Sequence, residues 1–291
     1  MKLKQMGVAL MMALGLSCNA SGGTTVLERL REMHQMLMDP EQIFSISATM
    51  TELDALAAKI PSGDSPARGE VDFLRGYVHG RKGESAEAVH FTREALRIDA
   101  VTSFLTENDR NYALYRLAVN AKDAGEWEIA IDAYKRVIPR FARNPALDDS
   151  QRLGMQENLG FCLHEAGKYA EAMTINKKVL AGGERLFGAK SPELLNVINN
   201  LAQNAYELKD YVAARIYLER RLKIAAQHEE VFHVDDSLFQ LGVLAFEQGQ
   251  PKEAEDFMKR RLELARKSGD EDRIKNAEED LRVLYEKGSD A

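Results

Sequence analysis

The sequence predicts an all-α fold, a solenoid of antiparallel helix pairs, and three observations carry the prediction. Alanine recurs at Ala88, Ala130, Ala172 and Ala214, 42 residues apart each time, and again at Ala254 after 40. A fixed period of this length marks units that stack on their neighbours and together build one surface. A turn residue precedes each alanine by five positions, at Gly83, Gly125, Gly167, Lys209 and Gly249. Glycine suits the left-handed residue that closes a helix, and lysine in that slot costs about 1 kcal/mol relative to glycine. Before each turn stands a small residue where two helices must approach closely: Arg75-Gly76, Leu117-Ala118, Leu159-Gly160, Leu201-Ala202 and Leu241-Gly242. Ala121, Leu163, Ala205 and Ala245 follow three positions after the small residue, on the same helical face.

In chain order, the first segment reads as an export signal. Lys2 and Lys4 form a basic start, and the apolar stretch Met6 to Leu16 is too short to span a bilayer. Two cleavage readings stand side by side. Cys18-Asn19-Ala20 offers small residues to a general signal peptidase, and Leu-Gly-Leu-Ser-Cys18 resembles a lipobox, in which Cys18 becomes a lipid anchor ahead of the polar tether Asn19 to Thr25. The boundaries that follow are a signal over 1–20, then a tether and N-terminal helix pair over 21–68.

In that pair, Val26, Leu30, Met33 and Leu37 give one helical stripe, and Ile43, Ile46, Met50, Leu53, Ala57 and Ile60 give a second, bracketed by Pro40 and Pro61. Met33, Met36, Met38 and Met50 serve either as gap-filling core or as an adaptable contact surface. Five helix-pair units then occupy 69–268. Trp127, Tyr169 and Tyr211 follow three of their turns, and Pro251, suited to a first helical turn, follows the last. Gly182-Gly183 should fray the end of the third unit's second helix, and Arg75, Arg221 and Arg261 fall where smaller or apolar residues are expected. Over 269–291, Ile274, Ala277, Leu281 and Leu284 share one face of a capping helix that hides the last apolar surface.

These leucine-small pairs, glycine turns, aromatics and alanines make the chain resemble a tetratricopeptide-repeat protein. The 42-residue spacing resembles the kinesin-light-chain type, most closely over Leu186-Phe-Gly-Ala-Lys-Ser-Pro-Glu-Leu194 and Val197 to Ala202. Ser191 stands where that family usually has histidine, and is a good N-cap ahead of Pro192. The resemblance implies a right-handed superhelix whose first helices line a concave groove that binds a protein or peptide.

On those first helices, positions three and four apart give the groove rows. They are Tyr112, Arg116, Val119 and Asp123; Asn158, Phe161 and Glu165; Asn196, Asn200, Gln203 and Glu207; and Asp236, Gln240, Val243 and Glu247. Across units, Arg116, Asn158, Asn200 and Gln240 make a ladder of side-chain donors, with Phe161, Tyr206 and Phe246 nearby. Such donors suit the carbonyls of an extended peptide, or alternatively tie neighbouring helices together. Asp123, Glu165, Glu207 and Glu247 make a second, acidic ladder. It suits a partner bearing lysine or arginine, or is a solvated face balanced by Arg136, Lys178, Arg220 and Arg260 on the second helices.

The formal net charge is -7, and -9 without Lys2 and Lys4. That argues against nucleic acid or an anionic lipid surface as partner, so membrane contact is expected only through a lipid anchor. Beyond Cys18 the chain has Cys162 alone, a small core residue with no disulfide partner. His228-Glu229-Glu230-Val231-Phe232-His233 spaces its histidines five apart, where a zinc helix needs four, so it reads as a polar connection. His164 has no ligand pattern near it and reads as surface or interface polarity. No phosphate loop and no metal or cofactor signature is present, so no cofactor is expected. The expected function is a non-enzymatic scaffold in the bacterial envelope, periplasmic or anchored to the outer membrane. A sensor of a small ligand or signalling peptide is the alternative.

Overall fold

The structure, a computed structural model, describes residues 25–142, 144 and 147–289. The export segment and Cys18 lie outside them. The described residues form α-helices and one 3₁₀ turn, with no strand among them. The helices fall into two units, the first running through Thr106 and the second from Glu107.

The first unit contains α1 (Val26–Met38), α2 (Ile46–Ala57), α3 (Pro66–Lys82) and α4 (Ser85–Thr102). Thr25 caps α1 in a reciprocal box with Glu28, and Ser65 caps α3 just ahead of Pro66. Leu30, Met33 and Leu37 are buried, so Met33 is core. Ile43 departs from the expected stripe. Ser45 caps α2, which begins only at Ile46, so Ile43 precedes the helix and stands 87% exposed. Gly76 sits where a Cβ would overlap the Thr92 hydroxyl, which is the close approach the small residue permits. Arg75 fits beside it by reaching outward, donating to Asp54 at 2.5 Å and lying over the Phe91 ring at 5.4 Å.

The second unit holds α5 (Glu107–Asp123), α6 (Trp127–Phe141), α7 (Asp149–Glu165), α8 (Tyr169–Phe187), α9 (Leu195–Glu207), α10 (Tyr211–Gln227), α11 (Val231–Glu247), α12 (Pro251–Ser268) and α13 (Glu271–Ser289). Each helix packs on the next in the chain, and α7 also touches α9 past the intervening α8. This nearest-neighbour pattern is that of a solenoid. Ala130, Ala172, Ala214 and Ala254 are fully buried between helices. A Cβ on Gly242 would lie 2.7 Å from Met258 Cε, so α11 and α12 meet as closely as glycine allows. At the end of the unit, Ala277 and Leu284 of α13 are buried, with Ile274 and Leu281 packed beside them.

The turns obey the left-handed requirement. Gly125, Gly167 and Gly249 have φ of 73°, 72° and 70°, and Lys209 takes φ 60° at the strain expected for a side chain there. Two local expectations fail. Gly182 and Gly183 do not fray α8, which continues to Phe187. Both are buried, and a Cβ on them would meet Leu153 Cδ2 at 2.6 Å and Leu194 Cδ2 at 2.7 Å. Their smallness admits neighbouring leucines, and that packing outweighs their weak helix propensity. Ser191 does not cap through its hydroxyl, which instead donates to the Glu193 carboxylate, and a 3₁₀ turn over Pro192–Leu194 leads into α9.

Candidate functional site

All fifteen groove-row residues predicted from the sequence lie in the second unit on α5, α7, α9 and α11, and none is buried. Helical phase explains this, because each first helix spends its leucine-small stripe on the core and leaves the opposite stripe open. On α5, Arg116 reaches Asn120 Oδ1 at 3.4 Å and Asp123 pairs with Lys122 at 2.7 Å, while Tyr112 is half-buried. On α7, Asn158 is half-buried, Glu165 is exposed, and the 37% exposed Phe161 meets the Trp127 ring edge-on at 5.9 Å. On α9, Asn196 and Glu207 are exposed, and Asn200 and Gln203 half-buried.

Neighbouring first helices are tied by side chains one repeat apart. Gln240 Nε2 of α11 donates to Asn199 Oδ1 of α9 and to Asp236 Oδ2, each at 2.9 Å. The ladder's Gln240 is therefore a helix tie, and its partner is Asn199 rather than Asn200. Tyr206 donates its hydroxyl to Glu247 Oε1 at 2.5 Å, and that bond pushes the phenol up to about 12. His164 Nδ1 lies 2.9 Å from the Oδ1 of Asn204, a buried residue of α9. These ties surround a cavity of about 390 Å³. Buried Ala202 and Leu218 form its floor, His164, Tyr206 and Phe239 its ring-bearing walls, and Gln203, Glu207, Asp236, Gln240 and Val243 its polar and open rim.

Three of the four second-helix cations are engaged locally. Arg136 pairs with Asp132 at 3.2 Å on its own helix, Arg220 with Glu184 at 2.6 Å, and Arg260 lies over the Phe257 ring.

Beneath the rim lies a polar cluster. Arg221 is 2% exposed and donates to Asp236 Oδ2 at 2.6 Å, to Ser237 Oγ at 3.1 Å and to His233 Nδ1 at 2.9 Å. Burial, together with Arg221, lowers the His233 pKa, which suits a neutral ring accepting from the guanidinium. His228 donates from Nε2 to the Lys190 carbonyl at 2.9 Å, so the two histidines flank the turn between α10 and α11 and each has separate work. Arg261 likewise finds a place, bonded to Asp235 and Asp280 and 5.0 Å over the Phe239 ring. Among the described residues no group of three or more His, Cys, Asp or Glu is placed to hold a metal ion. Cys162 is buried, and burial pushes its thiol up to about 12, away from nucleophilic use. Away from the first helices, Val212 and Ile216 on α10 are apolar and exposed.

The groove rows expected from the sequence leave out His164, Asn199, Asn204 and Phe239, and of these His164, expected as surface or interface polarity, is a polar tie between α7 and α9. A signal for one of them was present: His164, Tyr206 and Phe246 occupy equivalent repeat positions one residue before Glu165, Glu207 and Glu247.

Sequence profiles of the tetratricopeptide repeat match residues 112–142 and 151–227. The chain contains tetratricopeptide repeats. Its repeats share the fold of BtubC (BKLC) from P. vanneervenii, at 21% identity and a TM-score of 0.55 over 82% of this chain and 92% of that one. Kinesin light chain TPR-like repeats from Podosopora anserina superpose at 20% identity and a TM-score of 0.50, covering 69% of this chain and 97% of theirs. The apo form of RapI superposes at 16% identity and a TM-score of 0.62, covering 93% of this chain and 72% of that one. At such identities the likeness is one of fold, with 42-residue repeats of the kinesin-light-chain type. No curated protein matches the chain.

Proposed function

We propose that this tetratricopeptide-repeat protein is a non-catalytic scaffold that binds a protein or extended peptide along the first-helix face of its second unit. The observation that carries the reading is the cavity walled by α7, α9 and α11, which opens among the partly exposed Gln203, Glu207, Gln240 and Val243 of the groove rows. Asn158 and Asn200 stand on the same face as side-chain donors for peptide carbonyls, and Phe161 offers an aromatic edge. The site of action we propose is the bacterial envelope, reached by export and held there by acylation of Cys18 or left free in the periplasm. The Lys2 and Lys4 start, the apolar stretch and the Leu-Gly-Leu-Ser-Cys18 run support that placement.

Affinity capture from envelope extracts, comparing wild type with Asn158→Ala plus Asn200→Ala, tests the scaffold reading. Both substitutions sit on partly exposed helix positions where alanine favours the helix, and thermal unfolding of the double variant checks that the fold is kept. The double variant is expected to lose the partner that wild type retains. An unchanged set of captured proteins, with unaltered thermal unfolding, would defeat the reading.

A further inference from the structure

The chemistry of the cavity narrows the ligand. Its volume of about 390 Å³ lies near the small end of the ~300–1,000 Å³ typical of ligand sites, room for one long side chain rather than a folded element. The lining is rich in acceptors. His164 Nδ1 is engaged with the Asn204 carbonyl oxygen, so in the neutral ring Nδ1 carries the proton and Nε2 is an acceptor. Glu207 contributes a carboxylate at the rim. Arg221 and Gln240 both donate to Oδ2 of Asp236, which leaves Oδ1 as an acceptor.

The charge balance favours a cation. Glu207 and Asp236 line the cavity and Glu247 stands behind Tyr206, whereas Arg221 lies locked beneath Asp236. The aromatic walls point the same way. The chain already seats a guanidinium on Phe239, since Arg261 lies 5.0 Å over that ring from a neighbouring cavity. Phe239 and Tyr206 both line the cavity in question. A guanidinium offers five donors and no acceptor, and stacks on aromatic faces, so it matches acceptor-rich walls better than an ammonium or a carboxylate does.

We propose that this cavity takes the side chain of an arginine presented by the extended peptide that lies along the groove. The inference rests on the scaffold reading above, and names the chemistry of its partner.

The test is a backbone-amide NMR titration of the full chain with N-acetyl-arginine methylamide, its uncharged isostere N-acetyl-citrulline methylamide, and the corresponding glutamate compound. The arginine compound should give saturable shifts at Gln203, Tyr206, Gln240 and Val243, and the citrulline and glutamate compounds markedly weaker ones. Glu207→Gln, on an exposed helix end, should weaken arginine binding by about 1.5-fold to fivefold, the range for one partly solvated ion pair. Equal shifts with citrulline, or unchanged binding in Glu207→Gln, would overturn the arginine assignment while leaving a groove ligand in place. Silence of all three compounds up to their solubility limits, with partner capture still lost on Asn158→Ala plus Asn200→Ala, would overturn it and spare the scaffold. Loss of dependence on those asparagines would instead strike the scaffold reading itself.

Discussion

Asp236→Ala should destabilise the second unit by about 3 kcal/mol, and more than Arg221→Met does. The ordering follows from where each charge sits. Arg221 is almost wholly buried in the contact of α10 with α11, whereas the Asp236 side chain keeps 32% of its surface in water. Removing Asp236 strands a guanidinium whose remaining partners, Ser237 Oγ and neutral His233, carry no charge to offset it. Removing Arg221 leaves a carboxylate that water and Gln240 can satisfy, and methionine fills the volume at a cost of about 1 kcal/mol. The double variant should therefore be more stable than Asp236→Ala alone. Urea unfolding of the three variants reads the order directly. Equal losses, or a greater loss for Arg221→Met, would show that the buried guanidinium is not the costly group.

Gly160→Ala is the second large effect, expected at about 2 kcal/mol of destabilisation although alanine is the better helix former by about 1. The added methyl of α7 would overlap the Asn176 side chain on α8, which is fully buried. Steric overlap wins over propensity here because Asn176 has nowhere to move in a close-packed contact. Among the described residues neither amide atom of Asn176 has a hydrogen-bond partner, so that residue is already costly where it stands. Asn176→Ala should thus cost little, and the pair Gly160→Ala plus Asn176→Ala should recover about 1–2 kcal/mol relative to simple addition. A denaturant double-mutant cycle measures the coupling. Additive losses would mean that the methyl clashes with something other than Asn176.

Most of the fold was legible in the sequence because a repeat solves one packing problem many times. The left-handed turn, the small contact residue and the buried alanine each recur in phase, and Lys209 at φ 60° shows that the turn geometry persists even where glycine is missing. What escaped was local exchange between neighbours. Gly182 and Gly183 look like helix breakers until Leu153 and Leu194 are seen packed against them. Arg221 looks like a misfit until Asp236, Ser237 and His233 surround it. For the candidate site, the groove rows followed from helical phase, and all of them are open or half-open on α5, α7, α9 and α11. The cavity did not follow. It depends on contacts such as Gln240 with Asn199 and Tyr206 with Glu247, each 41 residues apart, and so on the exact registration of one helix against the next.

The central claim is that recognition belongs to the first helices, and a rival surface exists on α10, where Val212 and Ile216 are 70% and 60% exposed. Site-specific photo-crosslinking separates the two. A benzophenone side chain placed at Phe161 on α7, in cells producing the full chain, should form an adduct with the captured partner, and the same group at Ile216 should form none. An adduct from Ile216 with none from Phe161 would contradict the account and move the binding surface to the second helices.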